Sequence, residues 1–382
     1  MNPLPSQKHS FTILGIVVGA SALFAIIMMI IFSVREENHA QRKPRISEKR
    51  PTEHAEASPQ TPVPDTTETV TIVFSADFAN GEGCSSAKDA AGCDLYLATI
   101  TTTGSVQNVT KLTDTLGIAE SFPAWHPTKN IIYFNSQNTS TGQYEQPSIS
   151  YWNTETNEGG TLIKYGAHPS VMPDRSAIIY NDVPKHILKT APLAADGESV
   201  STATALVDGE NRFEPTVSGD GNLVVFHETS AENAGASIYN IATNTVTNIS
   251  PSDGTGHCTI NAATTLAVCD QKSGGGLAGT STLSSTIGMT SLLVPDPTIP
   301  AISALDDDYT SCGFASVNFP NFLDDDTLIV SISCNSRDTS EPTFAKLFLV
   351  ELSDISFIPL GKNLTKAYNG TGRSSRTAAA QQ

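Results

Sequence analysis

The chain has 382 residues, of which 39% are hydrophobic and 16% charged, and its formal net charge is −17. This length suffices for one large domain or two ordinary ones, and few charges with many β-branched residues favour an all-β protein. Residues 1–50 carry a net charge of +4, so the remainder carries −21. Such an acidic domain repels phosphate backbones, which argues against binding to nucleic acid.

An apolar segment lies near the amino terminus. After a short tail of residues 1–10, residues 11–34 contain no charged side chain. A helix of that length spans about 36 Å, enough to cross the hydrocarbon core of a membrane. We interpret 11–34 as an uncleaved transmembrane signal-anchor. The alternatives are a cleavable signal peptide, whose apolar region is usually shorter, and a buried core helix.

The orientation of this span rests on two opposing signals. One lysine precedes the span and six basic residues follow it by position 50, which by itself favours a cytoplasmic carboxyl-terminal side. Paired cysteines favour the opposite side, and long domains are translocated despite local charge. We therefore predict a single-pass membrane protein whose main domain lies outside the cytoplasm, in the periplasm or at the cell exterior. Residues 35–69, rich in Pro, Thr and Glu, are predicted to be a flexible linker.

The cysteines fall into three pairs of sequence neighbours. No C-x-x-C spacing occurs, which argues against a zinc knuckle or a thioredoxin-type motif. Free buried cysteines are one interpretation, and three local disulfides formed in an oxidising compartment are the one we favour. The predicted pairs are Cys84 with Cys93, Cys258 with Cys269, and Cys312 with Cys334.

One phrase recurs along the rest of the chain. It appears as "SFPAWHPTKNIIYFNS" (121–136), "AHPSVMPDRSAIIYND" (167–182) and "FEPTVSGDGNLVVFHE" (213–228). Each copy predicts a short strand, a turn and a second strand of β-branched and aromatic residues. Second strands of this type are predicted at 70–78, 130–136, 177–182, 223–228, 265–270 and 327–333.

Two further strands usually follow each copy, and the clearest copies are about 46 residues apart, a spacing typical of β-propeller blades. We therefore predict an all-β fold, a six-bladed β-propeller over residues 70–368. The first blade lacks an evident innermost strand. The tail of residues 369–382, or part of 364–375, is a candidate to supply it and close the ring.

The repeats resemble the WD-type repeats of TolB-like propellers. The resemblance is carried by Pro123-Ala124-Trp125-His126-Pro127 at the opening of a repeat, and by Asp94-Leu95-Tyr96-Leu97 and Lys111-Leu112-Thr113 in its later strands. Met172-Pro173-Asp174 and Gly219-Asp220-Gly221 are weaker copies of the turn. The resemblance implies a six-bladed propeller, and it implies little about function.

No catalytic residue is predicted, because G-x-S-x-G and H-E-x-x-H are both absent. His126, His168, His227 and His257 lie at blade starts or strand ends and are interpreted as structural or exposed. A metal site among them requires that two converge on the central channel. Two acidic runs are interpreted as solvated turns, with a Ca²⁺ site as a weak alternative. These runs are Asp306, Asp307, Asp308 and Asp324, Asp325, Asp326.

We therefore predict a monomeric propeller that acts as a non-catalytic scaffold for a protein or a cell-envelope polymer, with no cofactor. Its loops near 114–122, 137–147 and 271–312 are the expected contact surface. The alternative is a propeller lyase, lactonase or glycan hydrolase, which needs polar side chains converging at a channel mouth. A third interpretation is a sensor of a small ligand or ion.

Overall fold

A computed structural model describes residues 69–76, 93–140, 145–229, 235–249, 255–271, 277–280, 289–294, 298–335, 342–360 and 367–374. All of them lie in one compact unit, Asp65–Gln382. The predicted span at 11–34 and the linker to residue 68 fall outside the described residues, as does Cys84. Among the described helices, none has the length and apolar character needed to cross a membrane.

The described strands form six four-stranded antiparallel sheets. The first three sheets contain β1 (Thr69–Ala76), β2 (Asp94–Thr101) and β3 (Val106–Lys111); β4 (Ile118–Trp125), β5 (Ile131–Asn138), β6 (Ser148–Asn153) and β7 (Glu158–Ile163); and β8 (Gly166–Val171), β9 (Ala177–Asp182), β10 (Ile187–Pro192) and β11 (Thr204–Ala205).

The other three sheets, with the strand that completes the first, lie further along the chain. They contain β12 (Arg212–Val217), β13 (Leu223–Glu228), β14 (Gly235–Asn240) and β15 (Thr245–Asn248); β16 (Thr255–Ile260), β17 (Ala267–Gln271), β18 (Leu277–Thr280) and β19 (Met289–Val294); β20 (Phe314–Phe322), β21 (Thr327–Asn335), β22 (Pro342–Glu351) and β23 (Ser356–Pro359); and finally β24 (Ala367–Ser374).

The sheets are arranged in a closed ring. The strands β4, β8, β12, β16, β20 and β24 contact one another in that cyclic order, and β24 returns to β4. We call these the inner strands. The all-β propeller predicted from the repeats is therefore confirmed. The predicted second strands correspond to β1, β5, β9, β13, β17 and β21, each of which pairs with an inner strand.

The first sheet joins the two ends of the described chain. β24 pairs with β1 in antiparallel register, with Ile72 opposite Gly372. The propeller thus extends past residue 368, where the sequence analysis ended it, because β1 would otherwise present an open edge. Gly370 is buried in this strand, and a Cβ atom there would lie 2.6 Å from Ile329 Cδ1. A glycine at this position lets β24 pack closely on the preceding sheet.

Apolar side chains between neighbouring sheets form the core. One cluster joins Ile72 and Phe74 of β1 to Ile329 of β21 and Leu347 of β22. Another joins Ile179 of β9 to Val224 and Phe226 of β13. Each sheet is therefore covered by the next one around the ring, and no single blade buries its faces alone.

A short helical segment precedes β20, inside a region expected to be an inter-blade loop. Helix α1 (Ile299–Leu305) is capped by Thr298, and a 3₁₀ helix (Asp307–Ser311) follows it. Ile302 and Tyr309 pack in the core beside β20–β22. This segment was not predicted from the sequence, because each helix has fewer than two turns and is too short to show a helical period.

Two predicted disulfides are confirmed. Cys258 is bonded to Cys269 and Cys312 to Cys334. The first bond links β16 to β17, and the second links Cys312, two residues before β20, to β21. Cys93 is also disulfide-bonded. Disulfides persist in oxidising compartments, as expected for a domain that lies outside the cytoplasm.

Candidate functional site

Every inner strand is interrupted at the same place. The pairing register with the second strand shifts across residues 122–123, 168–169, 214–215, 256–257, 319–320 and 369–370. In four of the six strands the second residue of the interruption is a proline, at positions 123, 169, 215 and 320. A proline cannot donate to the ladder, so it favours a bulge at these points.

The bulges redirect the side chains that precede the prolines. Phe122, His168, Glu214 and Phe319 have φ values of 51°, 53°, 57° and 53°, in the left-handed region that non-glycine residues rarely adopt. Bulges of this kind change the direction of a side chain. In this ring they bring side chains from neighbouring blades together around the channel axis. The bulge of β16 contains Gly256 and His257. His257 is its second residue, at the place that proline has in those four strands, and its side chain also reaches the channel axis.

The five side chains form one cluster. The ring of Phe122 lies 4.3 Å from that of His168 and 5.3 Å from that of His257, measured between centroids. Phe319 lies 4.2 Å from His257 and 5.9 Å from Phe122. The phenyl rings therefore wall the site, and the two imidazoles and the carboxylate of Glu214 supply its polar groups. We call Phe122, His168, Glu214, His257 and Phe319 the channel cluster.

Three members of the channel cluster bring metal-type ligand atoms together. His257 Nε2 lies 3.0 Å and His168 Nε2 lies 3.9 Å from Glu214 Oε1. One ligand atom from each of the three residues lies within 4.8 Å of the others. Two histidines thus converge on the channel, which meets the condition that the sequence analysis set for a metal site.

Asp270 of β17 contacts the imidazole of His257 on the side opposite Glu214. Its Oδ2 atom lies 3.3 Å from His257 Nδ1 and accepts the backbone N–H of Phe319 at 3.1 Å. Cys258 and Cys269, the disulfide partners, are the immediate neighbours of His257 and Asp270. The disulfide therefore crosslinks the two strands at the point where the imidazole and its carboxylate meet.

His168 is positioned by the previous blade. Its backbone N–H donates to Asn135 Oδ1 at 2.7 Å. Its Nδ1 atom is buried and has no hydrogen-bond partner among the described residues. Burial, opposed by the nearby charge of Glu214, lowers the pKa of His168 to about 4. This imidazole is therefore neutral near pH 7 and available as a ligand or a hydrogen-bond acceptor.

The pKa values of Glu214 and His257 move in opposite directions. Burial disfavours the charged form of each, but the facing opposite charge outweighs it. The pKa of Glu214 falls to about 2, and that of His257, which also contacts Asp270, rises to about 10. With two carboxylates around one imidazolium, the polar side of the site carries a net negative charge at neutral pH.

The cluster lines a pocket of about 290 Å³. Its walls come from β4, β8, β12, β16 and β20 and include Trp125, Ser170 and Asn321. Pockets for drug-sized ligands start near 300 Å³, so this one fits a small ligand or a single projecting group. Among the described residues of the three expected loop surfaces, only Phe122 contributes to its lining.

The six aspartates considered for Ca²⁺ lie elsewhere. Asp306 and Asp308 contact the buried ammonium group of Lys346. Asp324 accepts backbone N–H groups within its own turn, and Asp325 accepts that of Ala263. Within the described residues none of the six belongs to the metal-type cluster. Asp306 and Asp308 each form an ion pair with Lys346, and Asp324 and Asp325 accept hydrogen bonds in turns.

The sequence analysis missed Glu214 and both phenylalanines. The available signal was the residue before the proline in each repeat, Phe122, His168, Glu214 and Phe319. A repeat fixes the equivalence of such positions, but not the direction in which their side chains point. That direction depends on the bulge.

Comparisons with known proteins support the fold. No known protein-family profile and no curated protein matches the chain. Among solved structures, TolB from Acinetobacter baumannii is similar, with a TM-score of 0.53 and 13% identity over 80% of this chain and 66% of that one. This chain thus spans slightly less than two thirds of that protein.

Two other structures are similar at comparable levels. Hydrazine synthase from Kuenenia stuttgartiensis has a TM-score of 0.56 and 12% identity, over 81% of this chain and 47% of its own. A TolB-like protein from Agrobacterium tumefaciens has a TM-score of 0.50 and 10% identity, over 81% and 91%. Likeness at such identity shows the propeller fold and carries no function with it.

Proposed function

We propose that this chain is a membrane-tethered, non-catalytic binding protein whose propeller lies outside the cytoplasm and captures a small cationic ligand, or one cationic group of a larger partner, in its central pocket. Each of the six sheets is one blade of that propeller. The observation that carries the proposal is the convergence of His168, Glu214 and His257 between two phenyl walls. The anchor at 11–34 and the linker serve to hold the propeller near the membrane.

Charge and size both favour a small cation. Glu214 faces the site, Asp270 lies behind His257, and the two carboxylates have only one imidazolium between them. Residues 51–382 carry a net charge of −21. A cation over an aromatic face gains further electrostatic attraction, and Phe122 and Phe319 supply such faces. A volume of about 290 Å³ admits one such group and excludes a folded polymer segment.

The channel pocket replaces the loops as the main binding surface in this proposal. A protein or envelope-polymer partner remains compatible with it if the partner inserts one cationic side chain or amino sugar.

An enzyme at the same site is the second candidate. A propeller enzyme needs polar side chains that converge at the channel, and His168, Glu214 and His257 do so. The observation that favours it is the Asp270–His257–Glu214 arrangement, which resembles an oriented acid–base pair.

The test uses the full-length chain, purified in detergent and titrated with probes of defined charge. The probes are methylamine, tetramethylammonium and guanidinium, with acetate and phosphate as anionic counterparts. Trp125 lines the pocket, so its fluorescence reports binding, and the thermal midpoint gives an independent signal. We expect a response to cations and none to the anions.

Two variants decide the outcome. Glu214→Gln removes the central carboxylate and should weaken cation binding at least tenfold, whereas Asp354→Asn removes the same charge from an exposed turn and should leave binding unchanged. Binding of anions that depends on Glu214 would overturn the charge assignment. If no probe gives a response that Glu214→Gln changes, the pocket is not the binding site and the proposal is wrong.

A further inference from the structure

We infer that the channel cluster binds one divalent first-row transition metal ion, with Zn²⁺ as the reference ion, through His168, Glu214 and His257, and that His257 releases its Nε2 proton to solvent as the metal binds. This deepens the proposed function, because it identifies the cation as a metal held directly by protein atoms. It rests on the proposed function in one respect only, that ligands bind in the central pocket.

The donor set is the first argument. Two imidazoles and one carboxylate are a recurrent set for zinc sites that keep a fourth position open, and imidazole also suits the neighbouring transition metals. Calcium and magnesium prefer all-oxygen sites with more ligands. The three residues come from consecutive inner strands, β8, β12 and β16, so the ring itself presents them side by side.

The distances are the second argument. Zinc bonds of about 2.0–2.1 Å in tetrahedral geometry place neighbouring ligand atoms roughly 3.3 Å apart. The distances from Glu214 Oε1 to His257 Nε2 and to His168 Nε2 are 3.0 and 3.9 Å, and all three atoms lie within 4.8 Å of one another. Side-chain shifts of about 1 Å would bring the three ligand atoms to these separations.

The surroundings of the ligands are the third argument. Histidines that bind metals usually place their other ring nitrogen against a carboxylate, and such partners strengthen binding. Asp270 Oδ2 lies 3.3 Å from His257 Nδ1, so Nε2 is the nitrogen directed at Glu214. The strained conformations of His168 and Glu214, with φ values of 53° and 57°, hold both side chains toward the same point.

A simple ion pair is the competing explanation for these contacts. It leaves His257 Nε2, 3.0 Å from Glu214 Oε1, buried without a hydrogen-bond partner in the described part of the chain. It also does not explain why His168 Nε2 lies 3.9 Å from the same oxygen atom. An unpartnered buried polar atom is costly, and a metal ion held between these atoms would give His257 Nε2 a partner.

The experiment uses the untagged full-length chain in detergent, stripped with a chelator. Zn²⁺ is titrated calorimetrically and Co²⁺ by visible absorption, which reports coordination geometry. We expect one ion per chain, a dissociation constant in the micromolar range or below, and the intense bands of four-coordinate Co²⁺. Ca²⁺ should bind at least 100-fold more weakly than Zn²⁺.

The chain itself supplies a matched substitution. Phe122 and Phe319 occupy the same bulge position before a proline as His168 does, so His168→Phe places a residue that this backbone already accepts. His168→Phe and His257→Phe should each weaken Zn²⁺ binding at least 100-fold, and Asp270→Asn by 10- to 100-fold. The control His186→Asn changes an exposed histidine of similar φ, 52°, and should have no effect.

A measurement on the unaltered chain removes any dependence on how the variants fold. Zn²⁺ should protect His168 and His257 from modification by diethyl pyrocarbonate while His186 still reacts. Absence of stoichiometric Zn²⁺ binding, or binding that survives both phenylalanine substitutions, overturns the metal site. If organic cations still bind in a Glu214-dependent way, only this inference fails. If neither metal nor amine binds, the proposed function fails with it.

Discussion

At the scale of single residues, Glu120 is a buried carboxyl group whose ionisation opposes folding. Glu120 of β4 is 3% exposed, and its Oε2 atom accepts a hydrogen bond from the Thr113 hydroxyl group. Burial raises the pKa of Glu120 to about 7 from the model-compound value of 4.5, although the hydrogen bond from Thr113 acts in the opposite direction. The folded chain therefore retains this proton at pH values where the unfolded chain has lost it.

The sign of the pH dependence follows. Below pH 4.5 both states are protonated, and between pH 4.5 and 7 only the unfolded state ionises, so stability falls as the pH rises. We predict that Glu120→Gln removes this dependence and stabilises the chain at pH 8 by about 3 kcal/mol at most, from about 1.4 kcal/mol per pKa unit. Urea unfolding from pH 4 to 8 measures it.

The control for this prediction is Glu155→Gln, which changes an exposed carboxylate in a turn. Its unfolding free energy should follow that of the parent at every pH. Parallel curves for Glu120→Gln and the parent would show that Glu120 is ionised in the folded chain at neutral pH, contrary to the prediction.

At the scale of elements, the inner hairpin of the fifth sheet links stability to the site. The Cys258–Cys269 disulfide joins β16 to β17 and closes a segment with a sequence separation of 11. A crosslink that closes a loop of this length lowers the entropy of the unfolded chain and thereby stabilises the fold by about 3 kcal/mol. Because the bonded cysteines adjoin His257 and Asp270, the same bond also fixes the approach of imidazole to carboxylate.

We predict two effects for the double substitution Cys258→Ala with Cys269→Ala. The unfolding free energy should fall by about 3 kcal/mol, and ligand binding in the central pocket should weaken several-fold because His257 is held less firmly. Chemical unfolding measures the first effect and the titrations described above measure the second.

The second disulfide is the matched comparison. Cys312 and Cys334 close a longer segment, with a separation of 22, and neither lines the pocket. Cys312→Ala with Cys334→Ala should cost a similar free energy and leave binding unchanged. Equal loss of binding in both double variants would mean that the disulfides act through general stability and not through the position of His257.

At the scale of the whole molecule, the ring depends on its last strand. β24 completes the first sheet, contacts β4 on one side and β20 on the other, and covers Ile329 and Leu347 through the close approach of Gly370. Without it, the edge of β1 and part of the apolar core would face solvent, and an exposed edge promotes aggregation.

We predict that ending the chain after Lys366 abolishes the single cooperative unfolding transition and causes aggregation, whereas ending it after Ser374 leaves the thermal midpoint within a few degrees of the parent. Differential scanning calorimetry and light scattering measure both. A stable, monomeric chain lacking residues 367–382 would contradict the role of β24 in closing the ring.

The sequence by itself determined the class of fold and much of its register. Second strands such as β5, β9 and β13 were predicted to within a residue or two, because β-branched runs bounded by Pro, Gly and Asp turns are a local signal. The pairings Cys258–Cys269 and Cys312–Cys334 followed from short spacing in matching hairpins. Helix α1 did not follow, since a helix of fewer than two turns is too short to show a helical period.

The site was decided by the tertiary structure. His168, Glu214 and His257 are separated by more than 40 residues at each step, and each is an ordinary polar residue in its own strand. They meet because closing the ring places the bulges of the inner strands around one axis, and because each bulge turns one of these side chains inward. His168 and Glu214 precede the prolines of their bulges, whereas His257 is the second residue of a bulge that has no proline. The repeat along the chain shows which positions are related from blade to blade. Whether their side chains meet depends on which way they point relative to the axis of the ring, and that axis exists only once the ring has closed.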